Sequence, residues 1–245
     1  MYNEKYIKEY IKLYENNENQ INEEQTEYLA NNIIKNISFK NKIMESYKNL
    51  IIEIMKLNKG YIMAKMLKPL NISRNYLSIL EKEKIIEKVE KGIYILNDKI
   101  EDSYYVLQQK YKKIIFSHMN ALYFHGLTEE ITYKYSITIP KEYHVSKLNK
   151  NNNIFYVDSS IYELGITYVE TPFGNKVKAY DKERCICDII KSKNRMNFDS
   201  VKYSIRTYLN SNDKDLNKLF EYADKMKIKG KVVSFVEMLI WKKCN

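Results

Sequence analysis

The strongest constraint on the fold is where a chain of 245 residues with only six glycines and three prolines places its breaks. Punctuation this sparse gives each break weight, and those at Gly60, Pro69 and Gly92 frame one module. Ahead of them Leu50, Ile51, Ile54 and Leu57 form an apolar helical stripe, which Asn58-Lys59-Gly60 ends. A short helix is expected from Met63 to Leu67, closed by Pro69. Asn71-Ile72-Ser73 then supplies a hydroxyl cap for a helix running to Lys82, with Leu77 and Leu80 on one side. Ile85 to Val89 and Ile93 to Leu96 are β-prone runs around Glu90-Lys91-Gly92, whose glycine provides the positive φ of a tight hairpin. Helix, short helix, helix and hairpin, over residues 43–98, spell a winged helix-turn-helix.

The side of the helix opposite Leu77 and Leu80 carries Arg74, Asn75, Ser78 and Lys82, with Ser73 at its start. A helix entering the major groove needs such groups: arginine pairs with guanine, asparagine with adenine, and serine or lysine reaches bases and phosphates. Lys88 and Lys91 fall where a wing meets the DNA backbone. Any solvated helix face is polar, however, and winged helices also hold proteins. The residues therefore leave two binding partners open, double-stranded DNA and another protein.

On either side of this module the pattern changes. Residues 1–42 read as an accessory helical segment: Tyr6, Tyr10, Leu13 and Tyr14 share a face, and a polar run from Glu15 to Gln25 interrupts them. Residues 99–245 mix both periodicities. A helix is expected over Asp102 to Tyr111, and a second, capped by Ser117, ends at Gly126. Tyr133 to Ile139, Ile154 to Val157, Ile166 to Val169 and Lys176 to Tyr180 read as strands; Asp181 opens a helix, and three more follow. The expected class is α+β, a winged helix-turn-helix followed by a larger mixed domain.

Composition narrows the function. With 44% apolar and 29% charged residues the chain is globular, and no apolar stretch approaches the ~20 residues that span a bilayer. Neither secretion nor membrane insertion is expected. The odd set Cys185, Cys187 and Cys244 fits a reducing cytoplasm. A net charge of +10 favours a polyanionic partner. That charge is carried mostly by lysine, in a chain with 23 tyrosines and only Arg74, Arg184, Arg195 and Arg206 as arginines, a bias that an AT-rich genome produces by itself. Charge alone therefore does not decide for nucleic acid.

Three groups invite a catalytic or metal reading. Cys185-Ile186-Cys187 lacks the second ligand pair that zinc requires, so both read as core thiols and no metal is expected. His118 and His125 share a helix face without a partner nucleophile and read as packing or hydrogen-bonding groups. Asp181, Glu183 and Asp188 are the densest acidic cluster, and a metal-dependent nuclease would want such carboxylates. Capping by Asp181 and an i, i+4 pair between Arg184 and Asp188 account for them better. No phosphate-cradling glycine loop or nucleophile elbow occurs, so neither enzymatic activity nor a cofactor is expected.

The stretches IFSHMNALYFHGL (Ile115 to Leu127) and VKAYDKERCICDII (Val177 to Ile190) resemble the two signature segments of AbiEi-type antitoxins of type IV toxin–antitoxin, or abortive-infection, systems. ISRNYLSILEKEKIIEKVEKGIYIL resembles that family's amino-terminal winged helix, with Gly92, Ile93 and Tyr94 closing the wing. The resemblance covers about residues 48 to 240. It implies a transcriptional regulator that binds inverted repeats in its own promoter. It further implies a carboxy-terminal domain that counteracts a nucleotidyltransferase-like toxin, with or without a stable complex. Ser117, His118, Ala121, Leu122, His125, Gly126 and Leu127 match the first segment, and Asp181, Glu183, Arg184 and Asp188 match the second. The resemblance makes these structural or antitoxic positions rather than catalysts. Residues 1–42 extend beyond the family's usual start, where they would add a dimerisation element or mask the winged helix.

Overall fold

A computed structural model describes residues 4–16, 23–34, 43–143, 148 and 152–241. The fold is α+β, with two sheets set among helices, and the chain divides into two compact units, Met1–Lys112 and Lys113–Asn245. No helix among the described residues is long and apolar enough to cross a membrane. Cys244 and much of the polar run between Glu15 and Gln25 lie outside the described residues.

The first unit opens with α1 (Glu4–Asn16) and α2 (Glu23–Ile34), which pack on each other. Ile7, Tyr10, Ile11 and Tyr14 form the buried stripe of α1, whereas Tyr6 and Leu13, expected on that face, are only half-buried. Tyr10 Oη donates to the Met66 carbonyl at 2.6 Å, and the Lys65 ammonium lies 5.5 Å from the centre of the Tyr14 ring. In α3 (Ile43–Leu57), Leu50, Ile51, Ile54 and Met55 are buried, and Leu57 is half-buried.

Where a short helix was expected from Met63, the chain first forms a strand, β1 (Tyr61–Met63), and then a 3-10 turn (Ala64–Leu67). All three strand residues are buried, so their apolar run carries no helical period to read. Next come α4 (Asn75–Lys82), β2 (Ile86–Glu90) and β3 (Ile93–Leu96). Lys84, at φ 58°, ends α4 sharply, and the Ile85 N–H returns to the Leu80 carbonyl. The hairpin turns through Gly92 at φ 76°, and the antiparallel sheet has the order β1-β3-β2.

The helix α5 (Ser103–Lys110), which the sequence placed beyond residue 98, belongs to this first unit. The Asp102 carboxylate caps it by accepting from the Tyr104 and Tyr105 N–H groups. The Asp102 N–H donates to Tyr61 Oη at 2.6 Å, and the Tyr105 ring packs 4.9 Å from that of Tyr61. These ties to β1 are long-range contacts with no local sequence signature.

The second unit is built on a five-stranded mixed sheet of order β6-β5-β4-β8-β7. Its strands are β4 (Ile115–Phe116), β5 (Tyr135–Pro140), β6 (Asn152–Val157), β7 (Ile166–Glu170) and β8 (Lys176–Tyr180). Four of them correspond to the expected strands; β4, two residues long, was not expected. The helix α6 (His118–Phe124) follows β4, and α7 (Ser159–Tyr162) follows β6. After β8 come α8 (Lys182–Lys191), a 3-10 turn (Lys193–Arg195), α9 (Phe198–Asn210), α10 (Leu216–Lys225) and α11 (Lys229–Trp241). α8 is the hub, buried from Glu183 to Ile190 and packed by α6, α9, α10 and α11. A helix covered on all sides must find internal partners for its charged residues, which is the problem its sequence solves.

Candidate functional site

α4 is amphipathic in the manner its sequence implied. Leu77 and Leu80 are buried, and Ser73, Arg74, Asn75, Ser78 and Lys82 are all exposed. Ser73 Oγ accepts from the Asn75 N–H at 3.3 Å, which sets the first turn. Tyr76 is turned away from this face, its ring 5.6 Å from that of Tyr47 on α3. Lys88 on β2 and Lys91 in the hairpin turn are exposed as well, at an irregularity in the β2–β3 register between Lys88 and Glu90. Glu90 is engaged by Lys110, and Glu83, just past α4, is paired with Lys48 at 2.7 Å. Two nearby carboxylates thus have cationic partners, while Glu81 is the exposed acid on α4 itself. α1 packs on α2 and α3 and reaches Met66 and Lys65, and among the described residues the polar face of α4 stays open to solvent.

The stretch Val177 to Ile190 forms β8 and α8, and Glu183, Arg184 and Asp188 are held inside the unit. Asp181 caps α8 by accepting from the Arg184 N–H at 2.9 Å. Glu183, 5% exposed, accepts from Tyr208 Oη at 3.0 Å and from the Asp215 N–H at 3.3 Å. The Lys218 ammonium lies 2.9 Å from Asp181 and 3.5 Å from Glu183. A lysine therefore occupies the place between these carboxylates where a nuclease would hold a divalent ion. Asp188 points elsewhere, to Arg184, and among the described residues no cluster of His, Cys, Asp and Glu has metal-holding geometry.

Arg184 is fully buried. Its Nε donates to Asp188 Oδ1 at 3.1 Å, and its Nη1 donates to the carbonyls of Ile161 and Leu164 at 2.6 and 2.9 Å. The guanidinium lies 4.2 Å from the centre of the Tyr180 ring. It binds α8 to the turn after α7. Burial holds the Asp188 carboxyl above its usual range even beside this guanidinium. Cys185 and Cys187 are buried free thiols whose ionisation burial pushes up, Cys187 to about 12, so both are inert core groups.

The stretch Ile115 to Leu127 meets β8 and α8 through its histidines. His125 Nε2 donates to the Tyr180 carbonyl at 2.8 Å, and burial pulls its pKa down. His118 has φ 47°, a left-handed conformation rare in a non-glycine residue, and its ring stacks on Phe155 with centroids 3.4 Å apart. Burial, with Arg195 and Arg184 nearby, keeps the imidazole neutral by lowering its pKa well below the ordinary value. Its Nδ1 lies 2.9 Å from Ser117 Oγ and its Nε2 3.1 Å from Ser192 Oγ, while Thr138 Oγ1 donates to Ser117. Every polar atom is used if Ser117 donates to Nδ1 and the Nε2–H donates to Ser192. Ser117 was expected to cap α6 with its hydroxyl; that hydroxyl is committed to His118 and Thr138 and makes no cap bond. Sequence reasoning missed Ser192, Phe155 and Arg195, which come from distant parts of the chain and meet only through the sheet.

The chain matches no protein-family model and no curated protein. Among solved structures it is similar to the RV2827C protein from Mycobacterium tuberculosis, with 8% identity over 78% of this chain and 81% of that one and a TM-score of 0.43.

Proposed function

We propose that residues 43–98 form a winged helix-turn-helix that binds double-stranded DNA at inverted repeats in its own promoter. The chain then serves as a transcriptional repressor and, through its carboxy-terminal unit, as a cytoplasmic antitoxin of the AbiEi kind against a nucleotidyltransferase-like toxin. The observation that carries this reading is the exposed face of α4: Arg74, Asn75, Ser78 and Lys82 stand over the buried Leu77 and Leu80, with Lys88 and Lys91 on the adjoining hairpin. A helix displaying donors and acceptors of this type beside a hairpin with two exposed lysines matches major-groove reading with a wing on the phosphates. The buried Ser117, His118, Glu183, Arg184 and Asp188, with the half-buried His125 and Asp181 bonded to backbone, fit a unit in which these residues hold its shape.

The test is a reporter driven by the chain's own promoter, combined with expression of a nucleotidyltransferase-like protein encoded beside it. Repression is expected to fail in Arg74→Ala and Lys82→Ala while growth rescue from the toxin persists. Full repression by both variants would remove α4 as the reading element, and absence of rescue by the wild-type chain would remove the antitoxin role.

A further inference from the structure

A cleft of about 320 Å³ opens beside His118 in the carboxy-terminal unit, in the size range of small-molecule sites. Its wall includes Phe155, Tyr156, Asp188, Lys191 and Arg195. Two cations stand there exposed, Lys191 at the end of α8 and Arg195 in the 3-10 turn. Arg195 is oriented: its Nη2 donates to the Ile154 carbonyl at 3.2 Å and its guanidinium lies 4.4 Å from the centre of the Phe155 ring. Most of its five N–H donors are left for a ligand. Asp188 also reaches this wall, but Arg184 donates to its Oδ1, and its Oδ2 and the Arg184 Nη2 are both buried without a hydrogen-bond partner, so its carboxylate belongs to the buried pair rather than to the cleft. Tyr156, 48% exposed, adds an open aromatic surface to the same wall. The strained backbone of His118 lies at this cleft, and such strain concentrates at binding sites.

These features discriminate among ligands. A simple inorganic anion would use Lys191 and Arg195 but leave Tyr156 idle, and an amine would be repelled by both cations. A nucleotide supplies both complements: phosphate for the cations and a flat ring for the tyrosine. We propose that this cleft binds a nucleotide, with its phosphate on Lys191 and Arg195 and its base against Tyr156. The inference goes beyond the DNA-reading function and does not depend on it, because every residue it uses lies in the second unit. Two sources share this chemistry, a free nucleotide and one nucleotide of a single-stranded RNA.

The experiment is isothermal titration of the full chain with AMP, GMP, CMP, UMP, inorganic phosphate, the four nucleosides and a single-stranded RNA octamer. At least one monophosphate is expected to bind with one-to-one stoichiometry, and more tightly than phosphate or its own nucleoside. Lys191→Ala and Arg195→Ala are each expected to weaken it about tenfold or more, the loss of one charge-assisted contact. Lys231→Ala, exposed on α11 outside the cleft, is the control and leaves affinity unchanged. Binding of the octamer alone, weakened by Lys191→Ala, would identify an RNA strand as the source. The proposal is overturned if neither a mononucleotide nor the octamer binds, or if binding is the same in Lys191→Ala and Arg195→Ala proteins that melt like the wild type.

Discussion

Replacing Arg184 by methionine removes the cation hydrogen-bonded to Asp188 and deprives the Ile161 and Leu164 carbonyls of their donor. The methionine fills much of the same space, so the loss is chiefly electrostatic. Breaking one side of a buried ion pair costs about 3–5 kcal/mol, and each abandoned buried acceptor adds up to about 1–3 kcal/mol where water does not reach it. A net loss of about 4–6 kcal/mol is a large part of the ~5–15 kcal/mol that holds a domain together. Urea unfolding of the whole chain, followed by far-ultraviolet circular dichroism, reads this loss. With a slope of about 1–3 kcal/mol per molar urea, the midpoint should fall by more than about 1 M.

Two further readings separate this mechanism from simple loss of packing. Arg184→Met with Asp188→Leu leaves no buried charge and should recover about 3 kcal/mol of the loss. In the single variant the Asp188 carboxyl, already raised by burial, rises further without its guanidinium. A carboxyl whose pKa is higher folded than unfolded stabilises the fold when protonated. Its contribution is full below the unfolded carboxylate range and is lost as pH rises through the folded value. The deficit of Arg184→Met relative to wild type should therefore shrink as the pH falls from neutrality towards the ordinary carboxylate range. A single variant that loses under about 1 kcal/mol, or a double variant no better than the single, would refute the reasoning.

Three other perturbations test the frame. Leu80→Ala empties a fully buried position under α4 and should cost about 2–5 kcal/mol by thermal or urea unfolding, whereas Ser78→Ala, on the exposed face, should change stability by no more than about 0.5 kcal/mol. Gly165→Ala places a Cβ 2.8 Å from the Arg184 Cβ at a φ of 81°, so it should lower the second unit's melting temperature by strain of about 1–3 kcal/mol. Tyr10→Phe removes the 2.6 Å bond to the Met66 carbonyl and should destabilise the first unit by about 1 kcal/mol or more, measured by circular dichroism melts; no change would mean that α1 is not anchored there.

Much of the first unit was legible because its breaks are local. Gly92 needed a positive φ, Leu77 and Leu80 needed a common side, and both requirements are met. The reading failed at Tyr61-Ile62-Met63, where complete burial erases the polar positions that reveal a period. In α1 the tyrosines drew attention to Tyr6 and Leu13, while Ile7 and Ile11 complete the buried stripe. The Arg184–Asp188 pair could be read from its spacing within one helix, but its carbonyl acceptors at Ile161 and Leu164 could not, because they depend on where the chain returns. The same holds for the cleft at His118: Phe155, Ser192 and Arg195 reach it from separate elements, and no local pattern announces a left-handed backbone at a histidine.

The most direct test of α4 as a DNA reader is a gel-shift titration of the purified chain with the duplex upstream of its own gene, against a scrambled competitor at two salt concentrations. The account predicts selective retardation that weakens as salt rises, by a log–log slope of about −0.9 per phosphate contacted, and that Arg74→Ala abolishes without unfolding the protein. Equal retardation of both duplexes, or an Arg74→Ala shift identical to wild type, would contradict it.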